Sequence, residues 1–262
     1  MVYPQLSSGS LAQFPIRKQQ LQRTVVNTAE DGSAIRLADP NGASTTWTLS
    51  YAGLTDQERE SLETLFEAAE GSLNAFTFLD PAANLLAWSD QLTNDVWQAG
   101  PLLTLTARVS DPFGGTLAWT LANTGAGAQE ISQTIEAPAG YQYCLSMYLR
   151  SDQAVNVTLL AGNLQASQLV STAWARASFA MTGDPADSSI TFGVRIPAGM
   201  TLYVYGMQVE AQAGPSEYKS STNGGVYTNA RLASDSLTVT TTGPGEHACT
   251  VTIINVYNAN NL

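Results

Sequence analysis

The sequence predicts a mainly β protein of two domains. One is an N-terminal α+β domain, a sandwich- or barrel-like sheet with one amphipathic helix, and the other is an all-β jelly-roll sandwich. A strand–helix–strand pattern lies within residues 47–81, and a long series of short alternating strands begins near residue 84. The 262 residues exceed an average domain and are compatible with two.

The first strand is recognised by its alternation. Trp47, Leu49 and Tyr51 alternate with Thr48 and Ser50, so the three large side chains share one face. A second aromatic strand, with Phe at positions 76 and 78, ends at an Asp-Pro step at 80–81. The two strands frame the helix described next.

A helix is predicted over residues 56–70. Thr55 and Glu58 have the spacing of a capping box, in which each side chain accepts a hydrogen bond from the backbone N–H of the other residue. Apolar residues within 62–69 form one stripe, opposite most of the glutamates. Gly71 stands where a left-handed C-terminal residue is favoured.

The middle of the chain has the texture of an all-β sandwich. Short alternating segments are separated by Gly, Pro, Asn and Asp, and no helical period is present. Regular strand spacing of this kind predicts a sandwich or jelly roll. The expected strands are 116–121, 129–135, 143–150, 154–161, 173–181, 189–196 and 202–209.

The C-terminal segment reads as a hairpin that is too small to be stable alone. Leu237, Val239 and Thr241 alternate, a Gly-Pro-Gly turn follows at 243–245, and a strand is expected over 248–256. We expect this hairpin to complete the N-terminal domain, which would then comprise residues 1–83 plus 225–262. The sandwich, residues 84–222, would be an insertion. Packing of the hairpin on the sandwich or on a neighbouring subunit is the alternative.

Composition narrows the function classes. The net charge is −11, from 22 acidic and 11 basic residues, and the lysines are Lys18 and Lys219. Binding to a nucleic-acid backbone requires clustered basic residues, so a nucleic-acid partner is not expected. Only 13% of residues are charged, which suits surfaces that become buried in an assembly.

The cysteines and the N-terminal sequence indicate where the protein is made. Cys144 and Cys249 lie far apart in strand-like stretches, where buried reduced thiols are expected, and nothing in the sequence supports a disulfide. We expect no signal peptide, synthesis in a host cytoplasm and no membrane insertion.

No catalytic, cofactor or metal site is predicted. His247 is the only histidine and lies near a turn, where a solvated side chain is expected. One histidine and two distant cysteines cannot supply the three or four ligands of a zinc site, and no nucleotide-binding fingerprint is present. Paired carboxylates, which suffice for a glycosidase, stay formally open, but the acidic residues have structural explanations. We therefore expect no enzyme activity.

The N-terminal pattern resembles a known family. The order W-x-L-x-Y, an acidic capped helix ending L-F-x-x-x-x-G, and then F-x-F-x-D-P is similar to the N-terminal unit of bacteriophage distal tail and minor tail proteins. The upstream Phe14-Pro15-Ile16 and Ala38-Asp39-Pro40 steps fit as well. The resemblance covers residues 1–83. It implies a ring, commonly hexameric, that joins the tail tube to the tail tip or baseplate at the distal end of the virion tail.

Residues 84–222 carry a second resemblance. The segments NLLAWSDQLTNDVWQAG, DPFGGTLAW, APAGYQYCLSMYLRS and YVYGMQVEAQAGPSEYKSST resemble carbohydrate-binding-module-like jelly rolls carried by phage tail proteins. Gln208-x-Glu210 followed by Gly-Pro-Ser-x-Tyr is the most specific part. The resemblance implies the sandwich fold, whereas sugar binding is a separate question.

Tryptophans flanking turns are the candidate glycan contacts. Trp88, Trp97 and Trp174 adjoin turn-rich sequence and are the candidates for exposure, whereas Trp119, Tyr143 and Tyr148 lie in strand patterns and are interpreted as core or interface residues. Packing within the sandwich is the favoured interpretation for all of them. Calcium is common in folds of this kind, but the sequence singles out no ligands.

Two functions follow as expectations. The first is a structural tail protein that forms a ring with copies of itself, contacts tail-tube and tip proteins, and projects the sandwich toward the host surface. The second is a carbohydrate-binding adhesin that recognises host-surface glycans. Ring formation or co-purification with tails would favour the first expectation, and glycan binding that depends on Trp97 would favour the second.

Overall fold

The computed structural model describes residues 1–257, which form one α-helix and sixteen strands. The strands are β1 (Ile16–Thr28), β2 (Ala34–Leu54), β3 (Phe76–Leu79), β4 (Gln98–Ala99), β5 (Leu103–Val109), β6 (Ala118–Asn123), β7 (Gln129–Ile135), β8 (Gln142–Ser151), β9 (Val155–Ala161), β10 (Leu164–Val170), β11 (Ala175–Thr182), β12 (Ile190–Ile196), β13 (Thr201–Glu210), β14 (Val226–Leu232), β15 (Val239–Gly243) and β16 (Glu246–Val256). The helix α1 spans Asp56–Ala68. The mainly β fold class is confirmed.

The chain divides into two compact units. The first unit comprises Met1–Leu6, Ala12–Phe78 and the chain from Tyr227 on. The second comprises Ser7–Leu11 and Leu79–Val226. Residues Ser7–Leu11, 79–83 and 225–226 were expected with the N-terminal domain but belong to the second unit. Leu11 is buried there. Residues 258–262 of the predicted N-terminal domain lie outside the described residues.

The first unit is built on a six-stranded sheet. The strand order is β1-β2-β16-β14-β3, and β15 also pairs with β16. The strand β16 is antiparallel to β2, from His247 opposite Leu54 to Val256 opposite Ser44. The C-terminal strands therefore share a sheet with the N-terminal ones. The predicted alternation in β2 is confirmed, because Trp47, Leu49 and Tyr51 are all buried.

The capping box of α1 is confirmed. Thr55 Oγ1 accepts a hydrogen bond from the Glu58 N–H at 3.2 Å, and Glu58 Oε2 accepts one from the Thr55 N–H at 2.9 Å. Leu62 and Leu65 on the predicted stripe are buried. Gly71 has a φ of +67°, as expected of a left-handed residue after a helix.

A long hairpin extends from this sheet. The strands β1 and β2 pair from Ile16 opposite Leu49 to Thr28 opposite Ala34, and nearly all of β1 is exposed. We call residues 21–44 the arm. Neither β1 nor the first half of β2 is predicted from the sequence, because their side chains do not alternate between a buried and an exposed face.

The expectation of a solvated His247 is wrong. Only 5% of this residue is exposed. His247 Nε2 lies 2.9 Å from Asp56 Oδ1, and Nδ1 lies 3.1 Å from Thr241 Oγ1. The reason is the start of β16 at Glu246, since the two-residue alternation of that strand turns His247 inward.

The second unit is a two-sheet sandwich of the jelly-roll kind. One sheet has the order β11-β8-β13-β6-β5, and the opposite sheet has the order β10-β9-β12-β7-β4. The rings of Tyr143 on β8 and Phe192 on β12 meet between the sheets, 5.5 Å apart and nearly perpendicular. Both are buried, so the core of this unit lies between the two sheets.

Each of the seven predicted strands of the sandwich is present, with shifts of a few residues at the ends. The prediction missed β4, β5 and β10. Both β5 and β10 are edge strands whose side chains are mostly exposed. In β10 the alternation is broken at Gln168 and Leu169, whereas β5 alternates from Leu103 to Val109 and carries a strand signal in its sequence.

The two cysteines are buried and free, as expected. Burial raises the pKa of the Cys144 thiol to about 11, so this side chain is a protonated, apolar group of the core.

Candidate functional site

The outer face of the β11-β8-β13-β6-β5 sheet carries an ordered set of aromatic and arginine side chains. On β8, Tyr148 and Arg150 alternate with buried Met147 and Leu149. On β13, Tyr203 and Tyr205 are likewise half-buried between buried neighbours. Because alternate side chains of a strand point to opposite faces, these four share the outer face.

Strand register places these side chains side by side. Tyr205 lies opposite Tyr148, Tyr203 lies opposite Arg150, and Arg176 on β11 lies opposite Tyr148. The Arg150 guanidinium carbon is 3.8 Å from the Tyr203 ring centroid and 5.5 Å from that of Trp174. The Arg176 guanidinium carbon is 5.5 Å from the Tyr148 ring centroid. Cation–π attraction holds both arginines over rings.

A loop adds an exposed ring to this surface. Phe113 is 70% exposed, and its ring stands edge-on to Tyr148 at 5.3 Å and to Tyr205 at 5.9 Å. The loop is tied down by Asp111, whose carboxylate accepts hydrogen bonds from the backbone N–H groups of Phe113, Gly115 and Leu117 at 2.9–3.2 Å.

The charge state of Asp111 follows from this loop. Its burial acts to raise the pKa of the carboxyl, but the three backbone donors together outweigh burial and hold the pKa below its usual range. Asp111 is therefore ionised near neutral pH, and it orders the loop that presents Phe113.

Tyr218 closes the other side of the surface. Its ring is 5.3 Å from that of Tyr205, and its hydroxyl donates to Asp90 Oδ1 at 2.5 Å. A pocket of about 340 Å³ lies between these rings. Its lining residues are Phe113, Tyr148, Tyr205, Glu217 and Tyr218.

The Gln-x-Glu and Gly-Pro-Ser-x-Tyr motif holds Tyr218 in place. Glu210 is 3% exposed and accepts hydrogen bonds from the Ser216 N–H at 2.9 Å and from Lys219 Nζ at 3.2 Å. Gln208 accepts from the Lys219 N–H at 2.8 Å. This motif therefore has a structural role, because its hydrogen bonds fix the segment that carries the Tyr218 ring.

We call this surface the aromatic face. It comprises Phe113, Tyr148, Arg150, Trp174, Arg176, Tyr203, Tyr205 and Tyr218. Among the described residues, the hydroxyls of Tyr148 and Tyr205 and the indole N–H of Trp174 make no hydrogen bond to the protein. Partial burial is the main cause that raises the pKa of Tyr205, so its hydroxyl is neutral and can donate.

The predicted tryptophans do not form one site. Trp174 is half-buried and belongs to the aromatic face. Trp97 is only 6% exposed, and its indole N–H donates to the Trp88 carbonyl at 3.0 Å. This hydrogen bond anchors the indole inside the unit, so Trp97 packs within the sandwich, as favoured, and is not an exposed glycan contact. Trp88 is half-buried beside Trp97 and lies outside the aromatic face.

Most of the aromatic face is not predicted by the sequence. Tyr148 is expected in the core or at an interface, whereas it is half-buried on the outer surface. The signal was present in Tyr148-x-Arg150 and Tyr203-x-Tyr205, which have aliphatic residues between and beside them. Trp119 and Tyr143 are buried, as expected.

Within residues 1–257, no group of three or more His, Cys, Asp or Glu side chains is arranged to hold a metal ion. In the same part of the chain, no helix is both long enough and apolar enough to span a membrane.

Comparisons with known proteins found fold-level likeness. A scan against protein-family models and a search of curated proteins each found no match. Among solved structures, the enzymatically active domain of bacteriophage CBA120 tailspike protein 4 is 13% identical with a TM-score of 0.41, covering 51% of this chain and 22% of that one. This chain thus spans about a fifth of that tailspike structure.

Two carbohydrate-binding modules also match. TmCBM61, solved in complex with β-1,4-galactotriose, is 18% identical with a TM-score of 0.38 and covers 48% of this chain and 97% of its own. The CBM22-1 xylan-binding domain from Paenibacillus barcinonensis Xyn10C is 12% identical with a TM-score of 0.41. The match covers 51% of this chain and 96% of that domain. These matches do not support the resemblance to distal tail proteins, which stays a prediction. The chain is similar to these modules and to the tailspike domain in fold alone.

Proposed function

We propose that the second unit is a carbohydrate-binding module that holds a glycan on the aromatic face. The observation that carries this proposal is the arrangement of Phe113, Tyr148 and Tyr205, three rings in mutual contact around one pocket at the surface. A sugar offers apolar C–H faces that stack on such rings and hydroxyl groups that need polar partners.

The chemistry of the face fits a sugar on both counts. The rings supply apolar area. Exposed clusters of apolar side chains are often ligand-binding or interaction sites. The unpartnered hydroxyls of Tyr148 and Tyr205 supply hydrogen bonds. The pocket volume lies within the range of about 300–1,000 Å³ that is usual for small-molecule sites.

Binding of the full chain to a panel of soluble polysaccharides tests the proposal, by affinity electrophoresis and then by calorimetry. Phe113→Ala is the most informative variant, because a side chain that is 70% exposed contributes little to the core. We expect it to lower the affinity by about tenfold or more, which corresponds to about 1.4 kcal/mol. Tyr205→Ala should act in the same direction.

Leu169→Ala is the matched control. Leu169 is 65% exposed on β10 of the opposite sheet, so its loss removes a similar apolar area away from the aromatic face. Equal losses in Phe113→Ala and Leu169→Ala would contradict the proposal, as would wild-type protein that retains no glycan. We also propose that this unit binds without catalysis, so reducing-sugar release from a bound polysaccharide would contradict that part.

A second function, assembly of the first unit into a ring, is favoured by the arm. Five large aliphatic side chains are exposed along it, which is unusual for a surface in contact with water. They are Leu21, Val25, Val26, Ile35 and Leu37. We propose that a second copy of this chain covers them, as in the hexameric ring expected for a virion tail. Arg17 and Arg36 on β1 and β2 complement exposed Glu60 and Glu67 of α1 in a neighbouring copy.

Light scattering after size-exclusion chromatography measures this assembly. The wild-type protein should form a closed oligomer, and a Val25→Lys/Ile35→Lys double variant should be monomeric, because buried charges oppose the contact. A wild-type protein that is monomeric at high concentration would contradict ring formation. Co-purification with tail-tube and tail-tip proteins would test the proposed place at the distal end of a tail.

A further inference from the structure

We propose that the aromatic face selects acidic glycans, in which a sugar carries an oxyanion such as a carboxylate or a phosphate. This inference rests on the proposed glycan binding and adds the substrate class. It is carried by the position and the pairing of two arginines, Arg150 and Arg176.

The first observation is the pairing of the basic residues. In the described part of the second unit, Arg195 pairs with Glu130 at 3.0 Å, and Lys219 pairs with Glu210 at 3.2 Å. Neither Arg150 nor Arg176 has a carboxylate of the described residues within salt-bridge distance. Arg108 of the same unit is likewise outside any salt bridge among the described residues, so what distinguishes Arg150 and Arg176 is that they lie together on one small surface of a chain with a net charge of −11.

The second observation is the geometry of the two guanidinium groups. Arg150 stacks on Tyr203 and lies near Trp174, and Arg176 stacks on Tyr148 while donating to Ser146 Oγ at 3.0 Å. Stacking occupies the flat faces of a guanidinium and leaves N–H groups at its edge, although the Nε–H of Arg176 is itself buried and has no partner. A guanidinium held this way is pre-organised for two parallel hydrogen bonds to a carboxylate or phosphate.

The third observation is that both arginines flank the same ring. Arg176 lies opposite Tyr148 on the neighbouring strand, and Arg150 is two residues along the strand from Tyr148 on the same face. Arg150 and Arg176 are therefore diagonal neighbours on adjacent strands, and residues so related are about 7–8 Å apart. A sugar stacked on Tyr148 therefore has a cation on two sides.

The nearby carboxylates are engaged by hydrogen-bond donors that do not cancel their charge, but none of them forms a salt bridge with Arg150 or Arg176 among the described residues. Asp111 is bound by backbone N–H groups, Asp90 accepts from Tyr218, and Asp152 accepts from the Tyr203 hydroxyl at 3.4 Å. Glu217 lines the pocket beside Tyr218. The oxyanion is thus placed toward Arg150 and Arg176, and the neutral part of the sugar chain toward Tyr218.

Two matched pairs of polysaccharides test the inference with the full chain. Polygalacturonate is compared with galactan for the carboxylate, and phosphomannan with mannan for the phosphate, in 0.15 M salt to screen long-range repulsion by the acidic chain. We expect about tenfold tighter binding of at least one acidic member than of its neutral partner, as charge-assisted hydrogen bonds predict. The pair that shows it identifies the oxyanion.

Arg150→Gln and Arg176→Gln should reduce binding of the acidic glycan by a larger factor than binding of its neutral partner, so that the preference of about tenfold is lost. Arg195→Gln removes the same charge from the opposite sheet and should leave the preference unchanged. Circular dichroism confirms that the variants are folded. A preference that survives in both aromatic-face variants would overturn the inference.

The possible outcomes distinguish acidic selectivity from glycan binding as such. Equal binding of acidic and neutral members by the wild-type protein overturns the acidic selectivity and leaves glycan binding standing. Binding of no member of either pair, or of the wider panel, overturns both.

Discussion

Tyr148 and Tyr205 lie opposite each other on neighbouring antiparallel strands, with ring centroids 6.0 Å apart and the Phe113 ring against both. Side chains at directly opposed positions of a sheet are close enough to interact, so backbone pairing alone sets the spacing of these two rings. The platform for a sugar is therefore built on the rigid part of the sandwich, and only Phe113 and Tyr218 depend on loops.

Asp111→Asn should weaken glycan binding by loosening the Phe113 loop. The charged acceptor of three backbone N–H groups is lost, and we expect a loss of about 1–3 kcal/mol in the free energy of unfolding. Urea unfolding measures this loss, and calorimetry measures the binding. An exposed carboxylate of the same unit without such donors, Asp95, supplies the control Asp95→Asn, which should leave both unchanged.

The effect of Asp111 should also depend on pH. The folded-state pKa lies below the unfolded value, so this carboxylate contributes stability above the unfolded pKa, near 3.9, and loses it as the pH falls through the folded pKa. The stability gap between the wild-type protein and Asp111→Asn should be full at pH 6 and should shrink as the pH falls below about 4. A gap that widens in acid would contradict this role.

Gly206→Ala should displace Tyr218. Gly206 lies at the β-bulge in β13 with a φ of +66°, and a Cβ there would stand 2.9 Å from Tyr218 Cγ. We expect a loss of about 1–3 kcal/mol in stability together with weaker glycan binding, because alanine is strained at positive φ and meets the ring. Gly214→Ala is the control, since it has open space and no positive φ. Equal stability of the two variants would contradict the prediction.

Glu210→Gln should destabilise the second unit. Its carboxylate is buried and accepts from Ser216 and Lys219, so the change removes charge-assisted hydrogen bonds worth about 1.5–3 kcal/mol in total. Glu130→Gln provides the comparison, because the Glu130–Arg195 pair is about 40% exposed and should be worth at most about 1 kcal/mol. Chemical unfolding measures the loss of stability in each variant, and the loss in Glu210→Gln should be the larger of the two.

Thr55→Ala should cost the first unit about 1 kcal/mol. It removes the side-chain acceptor for the Glu58 N–H at the start of α1. Gln57→Ala alters an exposed residue in the same helical turn without removing a cap, and its thermal unfolding temperature should stay close to that of the wild-type protein. A loss of equal size in both variants would mean that the cap is not the cause.

Elements whose stability is encoded locally could be predicted from sequence. The α1 capping box and the alternation of Trp47, Leu49 and Tyr51 depend on residues a few positions apart. The strand β16 was predicted for the same reason, whereas its inward-facing His247 was not. Edge strand β10 and the arm were missed, because their exposed side chains lack the alternation that marks burial, whereas β5 alternates and was predictable.

The sequence by itself determined the mainly β class, the single helix with its cap and most strands of the sandwich, since periodicity and turn residues record which side chains are buried. Only the tertiary structure decided that Tyr148, Tyr205, Phe113 and Tyr218 meet around one pocket and that Trp97 is buried. Those facts depend on strand register, on a bulge at Gly206 and on a loop held by Asp111. The strand register and the contact of Gly206 with Tyr218 join residues that are distant in the chain, and no local pattern specifies them. The Asp111 loop is local, within residues 111–117, but the meeting of its Phe113 with Tyr148 and Tyr205 is not.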